Sequence, residues 1–168
     1  MNRKLVISLV LFATGCSFAR AADMKGRVVS YGIFTVSGKE EIVKSPETPS
    51  GITRIPAGTP ILTTSTNRIP AKLGVRFGMW YEITNVPVAD GEVEVTKIAR
   101  HPSITKPDGT TSKGFTFVEK QWAKDGRVLG WTGYGFDHGH ELAPGRWEFE
   151  MAVKGKTVCK QEFTVFRE

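Results

Sequence analysis

Between Glu141 and Phe166 the chain reads ELAPGRWEFEMAVKGKTVCKQEFTVF, with large apolar residues at every second position of two runs. Trp147, Phe149, Met151 and Val153 fall on one parity, and Arg146, Glu148 and Glu150 on the other. A period of two places alternate side chains on opposite faces of a strand, one dry and one wet. Lys154-Gly155-Lys156 supplies a turn with a glycine able to take a positive φ. The return run repeats the alternation with Cys159, Phe163 and Val165. A helix would scatter these side chains around its circumference, so this stretch folds as a long antiparallel hairpin closing a β-sandwich.

The rest of the chain repeats the pattern. Gly26 to Ser37 carries apolar groups on both parities, as a partly enclosed strand does. In Leu73 to Asn85, Val75, Phe77, Met79, Tyr81 and Ile83 alternate with polar residues, glycines and Trp80. Asp90-Gly91 turns into a strand from Glu92 to Arg100, where Val93, Val95 and Lys97 share a parity and His101-Pro102 marks the end. Gly114 to Trp122 is expected to pair through Asp125-Gly126 with Arg127 to Phe136. Five of the nine prolines lie in Ser45 to Pro70. Proline cannot donate to a ladder, so that segment reads as a long loop with at most an edge strand near Ile61–Thr66. No sustained 3.6-residue period appears, and about seven short strands joined by Asp-Gly turns predict an all-β, antiparallel sandwich.

The N-terminus has a different job. Asn2-Arg3-Lys4 precedes nine apolar residues, Leu5 to Ala13. That run is too short to span a bilayer, which takes about 20 residues, and suits a secretory signal. Two cleavage points compete. Ala19-Arg20-Ala21 is a small-x-small site giving a signal peptide 1–21 and a single domain 22–168. Ala13-Thr14-Gly15-Cys16 resembles a lipoprotein box, with the signal ending at 15 and a lipid anchor on Cys16. Either way the expectation is export to the periplasm, soluble or lipid-anchored.

Removing residues 1–21 takes away Arg3, Lys4 and Arg20 and no acid, leaving 20 Lys+Arg against 17 Asp+Glu, or +3 in place of the full chain's +6. No dense basic block remains, which argues against a nucleic-acid partner. Cys159 then stands alone, so no internal disulfide is expected, and its position on the last strand suits a buried apolar residue.

Three of the five aspartates, Asp90, Asp108 and Asp125, precede glycine and are explained as turn residues. No carboxylate pair, nucleophile elbow, phosphate loop or CxxC appears, so no catalytic residue is assigned. Asp137-His138-Gly139-His140 places two imidazoles two residues apart. With His101 they would offer zinc or copper a ligand set in an exported protein. The plainer reading is a polar loop with exposed histidines and no cofactor. Gly130 to Phe136 interleaves glycines with Trp131 and Tyr134, while Trp80 and Trp122 lie off the apolar parity of their strands. Those four rings are candidates for an exposed aromatic face that meets a glycan or a protein partner. The alternative is that each glycine makes room for a neighbouring ring.

The run Trp131 to Val165 carries an aromatic-Gly-Tyr step, Phe136-Asp137, Glu141-Leu142, Pro144-Gly145-x-Trp147 and a final Gln161-x-Phe163-x-Val165. With Leu73-Gly74-x-Arg76-Phe77-Gly78 and His101-Pro102, it resembles a bacterial family of exported proteins, a domain of unknown function with an immunoglobulin-like sandwich. The resemblance spans most of residues 25–168 and implies that fold; it carries no catalytic residue. The expected function is a non-catalytic binding or structural module. A periplasmic metal-binding protein, and a chaperone or inhibitor that pairs an edge strand with its client, are the alternatives.

Overall fold

The structure, a computed structural model, describes residues 23–167. The expected signal peptide and Cys16 lie outside them. Eleven strands follow one another: β1 Lys25–Thr35, β2 Glu40–Lys44, β3 Ile52–Pro56, β4 Ile61–Thr64, β5 Arg68–Pro70, β6 Arg76–Thr84, β7 Gly91–Thr105, β8 Thr111–Ala123, β9 Arg127–Gly135, β10 Gly145–Val153 and β11 Lys156–Phe166. A single 3-10 turn, Gly139–Glu141, leads into β10.

Nine strands form two sheets, ordered β4-β1-β6-β9 and β5-β11-β10-β7-β8, and β2 pairs only with β3. The all-β antiparallel sandwich is as expected, with more strands than the seven read from the alternation. Of the four extra ones, β2 precedes the proline-rich segment and β3, β4 and β5 lie within it. β4 was foreseen as an edge, whereas β3 and β5 were read as loop. Their prolines end strands, Pro56 in β3 and Pro70 in β5, so a run dense in proline still holds short ladders. β5 joins β11 in parallel at the margin of the second sheet.

The C-terminal hairpin has the register that its alternation demands, Trp147 opposite Phe163 and Gly145 opposite Val165. Lys154 and Gly155 turn it with φ of 50° and 74°, the left-handed pair of a tight hairpin. Trp147, Phe149, Met151 and Val153 are all buried, facing Phe77, Met79, Tyr81 and Ile83 from β6. Trp147 sits at the centre. Its ring centroid lies 5.5 Å from Phe77, 5.0 Å from Tyr134, 5.8 Å from Phe136 and 4.8 Å from His101. Its indole N–H donates to the Ala143 carbonyl at 3.0 Å, so burial leaves no polar atom unsatisfied.

The opposite parity of β10 forms a charge ladder on the outer face. Arg100 on β7 reaches Glu148 at 2.8 Å and Glu150 at 2.5 Å, and Arg146 reaches Glu148 at 2.9 Å and Glu162 at 2.5 Å. Burial opposes ionisation of Glu148, yet Lys160 and Arg100 together hold its carboxyl below the usual range. Each exposed pair contributes little singly, but the ladder defines which face of the sheet is wet.

His101-Pro102 does not end β7. The strand continues to Thr105 across a register shift between Arg100 and Ile104, where the bulge accommodates Pro102 without a ladder donor. Trp147→Ala removes the ring that all four neighbours share. Chemical denaturation should show a loss of about 3–5 kcal/mol, as for other large-to-small core changes; a loss under about 1 kcal/mol would mean that the core is held elsewhere.

Candidate functional site

Asp125 and Gly126 take φ of 50° and 68°, and Lys124 and Arg127 exchange two backbone hydrogen bonds of 2.9 Å across the turn. The turn chemistry is as the sequence suggested, but the strands it joins do not pair. β8 pairs with β7 throughout, and β9 pairs with β6, so the chain crosses from one sheet to the other. Each strand is therefore the last in its sheet. Away from the shared turn lies a groove of about 450 Å³, lined by Phe115, Phe117 and Glu119 on β8, Trp131 on β9, and Ile55 and Pro56 on β3. That volume lies within the roughly 300–1,000 Å³ of small-molecule sites.

Lys97 holds the two margins in place. It lies on the core parity of β7, and its ammonium donates to the Trp131 carbonyl at 3.0 Å and meets Glu119 at 2.5 Å. A lysine among Val93, Val95 and Ala99 was the sequence signal for this junction, and alternation alone could not say what it reaches.

The β2–β3 hairpin roofs the groove and is anchored by charge. Arg54 on β3 donates from Nε to Asp137 at 2.7 Å. Glu40 on β2 receives Arg76 of β6 through two contacts, 2.7 Å at Oε1 and 2.9 Å at Oε2. The Oε2 contact is aligned as a hydrogen bond, and the Oε1 contact is an ion pair without that alignment. His140 Nε2 lies 3.2 Å from the Pro49 carbonyl, adding a tie from the loop before β10.

That loop is organised by Glu141. Fully buried, its carboxylate accepts the Tyr134 hydroxyl on one oxygen and, on the other, the backbone N–H groups of Asp137 at 2.8 Å and His138 at 2.5 Å. Burial, and then the carboxylate beside it, hold the Tyr134 hydroxyl far above its ordinary pKa, so it stays a donor. The sequence reads Glu141 as the residue that fixes the turn of a polar loop; its full burial and its three donors come from the tertiary packing.

The four candidate rings do not share one face. Tyr134 is buried against Trp147 and Phe115. Trp80 and Trp131 face each other in the β6–β9 register on the outer side of the first sheet. Both are half-buried, because the chain after β3 crosses them and Pro60 accepts the Trp80 indole N–H at 3.2 Å. Trp122 stands on the other sheet, 69% exposed. The interleaved glycines do make room for rings: a Cβ on Gly130 would lie 2.4 Å from the Tyr81 hydroxyl, and one on Gly133 2.5 Å from the Trp131 ring.

Nor does the fold assemble the three imidazoles. His138 and His140 stack with centroids 5.6 Å apart, but Asp137 is taken by Arg54. His101 is buried in the core, its Nδ1 2.7 Å from the Pro102 carbonyl and its Nε2 3.3 Å from Ser112 Oγ. Among the described residues no group of three His, Cys, Asp or Glu could hold a metal. The reason is parity: His101 continues the inward side of Val93, Val95 and Ala99 on β7. Cys159 is a free, half-buried thiol that burial pushes up to about 11, so it is a poor nucleophile.

Burial lowers the pKa of His101, with Lys106 adding to the effect against the Pro102 carbonyl. Below the unfolded value of about 6.5, the unfolded chain binds a proton that the folded chain resists, so folding stability is lost as pH falls through the folded value. Urea midpoints should decline from about pH 6.5 downward, and His101→Phe should remove that upper limb while leaving the carboxylate limb below about pH 4. Identical profiles for the two proteins would refute this assignment.

None of the curated proteins matches the chain. Among solved structures, an immunoglobulin-like protein from Pseudomonas aeruginosa is 22% identical, covers 87% of this chain and 98% of its own, and superposes with a TM-score of 0.59. Its likeness establishes the immunoglobulin-like fold. An alkylpurine DNA glycosylase from Pseudomonas fluorescens (16% identity, 59% of this chain, 27% of its own, TM-score 0.41) and a beta-glucosidase from Listeria innocua (12%, 85%, 16%, 0.44) are more distant, and this chain spans a small part of each. The model of a family described as a domain of unknown function, DUF3859, matches residues 23–165. With the match running from before β1 to the end of β11, the chain belongs to the DUF3859 family.

Proposed function

We propose that this protein is an exported, non-catalytic binding module whose ligand seat is the groove between β8 and β9. The observation that carries the reading is a ring-lined hollow at the flank where β8 and β9 are joined by a tight turn and not by pairing. Its walls offer rings, and the Trp131 indole N–H is buried with no acceptor among the described residues.

Two features support a binding role over chemistry. The charged groups at the groove are engaged with one another, Lys97 with Glu119 and Arg54 with Asp137. The thiol of Cys159 is protonated at neutral pH. Export is supported by the basic Asn2-Arg3-Lys4 and the apolar Leu5 to Ala13. No helix among the described residues is long and apolar enough to cross a membrane.

The groove is tested by calorimetry of the purified protein against neutral oligosaccharides, short peptides and apolar metabolites. Phe117→Ala should weaken any ligand about tenfold or more, while Lys160→Ala, on the outer charge ladder, should leave it unchanged. No binding by any member of the panel, or binding indifferent to Phe117→Ala, would discard the groove as the site. Export is tested by intact mass of the protein from fractionated cells: an N-terminus at Ala22, or a lipidated Cys16, is expected. Recovery of the full 18.5 kDa chain from the cytosol would overturn it.

A further inference from the structure

β8 ends its sheet, and for thirteen residues its far side has no partner strand among the described residues. The direction of its backbone groups can be read from Ser112. The Ser112 hydroxyl donates to the Gly114 carbonyl at 3.1 Å and receives the Gly114 N–H at 3.4 Å, so Gly114 turns both groups away from β7. Antiparallel ladders alternate, and Thr116, Val118, Lys120 and Trp122 therefore present their N–H and C=O groups on the open side.

Both faces flanking that open side are apolar. Phe115 and Phe117 line the groove, and Val118 and Trp122 stand on the opposite face, 64% and 69% exposed. A small molecule in the groove would use the first pair and leave the second in water. An added strand uses both, because its side chains alternate between the same two faces.

Charge narrows the occupant. On the groove face Glu119 is met by Lys97, and on the outer face Lys120 is met by Glu92 at 2.8 Å. On the groove face the charge beside Phe117 is already paired, so a charged side chain there would lose hydration for no ion pair, whereas on the outer face Glu94, opposite Lys120, has no ion-pair partner among the described residues. Long, exposed edges with apolar flanks are ordinarily guarded against pairing; here the lysine that would guard the centre is already held across the sheet.

We propose that the β8 edge takes an extended peptide segment with apolar side chains on both parities and no charge on the groove-facing one, added as a further strand of the second sheet. The proposal rests on the groove being the binding site and names its occupant.

The probe is a phage-displayed library of random nonapeptides, selected on the purified full-length protein, with an array of neutral oligosaccharides run beside it. Selected peptides should carry apolar residues on both parities and no charge on the one that faces the groove. Val118→Pro removes one open-side N–H while sparing the β7 ladder, a position where an edge tolerates proline. Affinity should fall about tenfold in Val118→Pro, the worth of one backbone hydrogen bond at about 1.4 kcal/mol, and stay within about twofold in Val118→Thr. In the unmodified protein, bound peptide should slow amide exchange at Thr116, Val118 and Lys120, a readout that stands even if the proline variant unfolds.

Peptides that bind a folded Val118→Pro equally well, or that leave those amides exchanging freely, would overturn strand addition. Oligosaccharides that bind and are lost in Phe117→Ala, with no peptide selected, would also overturn it while leaving the groove as the site. Silence from both libraries would remove both readings.

Discussion

Trp147 is the contact on which this sandwich depends. A ring that large, placed on the core parity of β10, touches Phe77 from the facing sheet and His101 from its own. Tyr134 and Phe136 from the end of β9 complete the enclosure. The indole therefore sets the spacing between the sheets at one end and draws the chain after β9 down against them. Because its N–H is answered by Ala143, burial costs little beyond ordering the side chain, and the surface removed from water is nearly all gain.

The loop drawn down in this way becomes the foundation of the open flank. Glu141 gathers the Tyr134 hydroxyl and two backbone N–H groups, which leaves Asp137 pointing to Arg54. Arg54 and Glu40 then hold the β2–β3 hairpin over the gap between β8 and β9, with Arg76 as the anchor on the first sheet. A hairpin that pairs with neither sheet is thus held by ion pairs and a few polar ties. Arg54 and Glu40 are met within the protein, and so are Lys97 and Glu119 in the groove beneath, which sit among rings and prolines.

Much of this architecture was legible as period. The alternations around Trp147, Phe77 and Val95 each name a strand and its core face, and all the apolar residues on that parity within the strand are buried, while Glu82 and Glu148 on the other parity are covered by their ion-pair partners. The same logic explains the errors. Gly114 to Trp122 and Arg127 to Phe136 look like hairpin partners because a two-residue Asp-Gly turn joins them, yet turn geometry does not say which sheet each strand enters. His101 looks like a ligand when it is taken by residue type, and like a core residue when it is taken by position; position decides, because the inward side of β7 has no water for a metal's other ligands. Trp80, Trp122, Trp131 and Tyr134 all lie near glycines or off parity, but a strand has two faces and a sandwich four.

By itself, then, the amino-acid order determined the strands, their dry sides and the tight turns, because each depends on neighbours two to four residues apart. Only the tertiary structure decided that β8 and β9 part company, that Lys97 reaches across to Trp131, and that a proline-rich segment returns as a roof. Those outcomes depend on contacts between residues tens of positions apart, such as Arg54 with Asp137 at a separation of 83. Local periodicity carries no record of them, since the same alternating strand can end a sheet or sit in its middle with equal comfort.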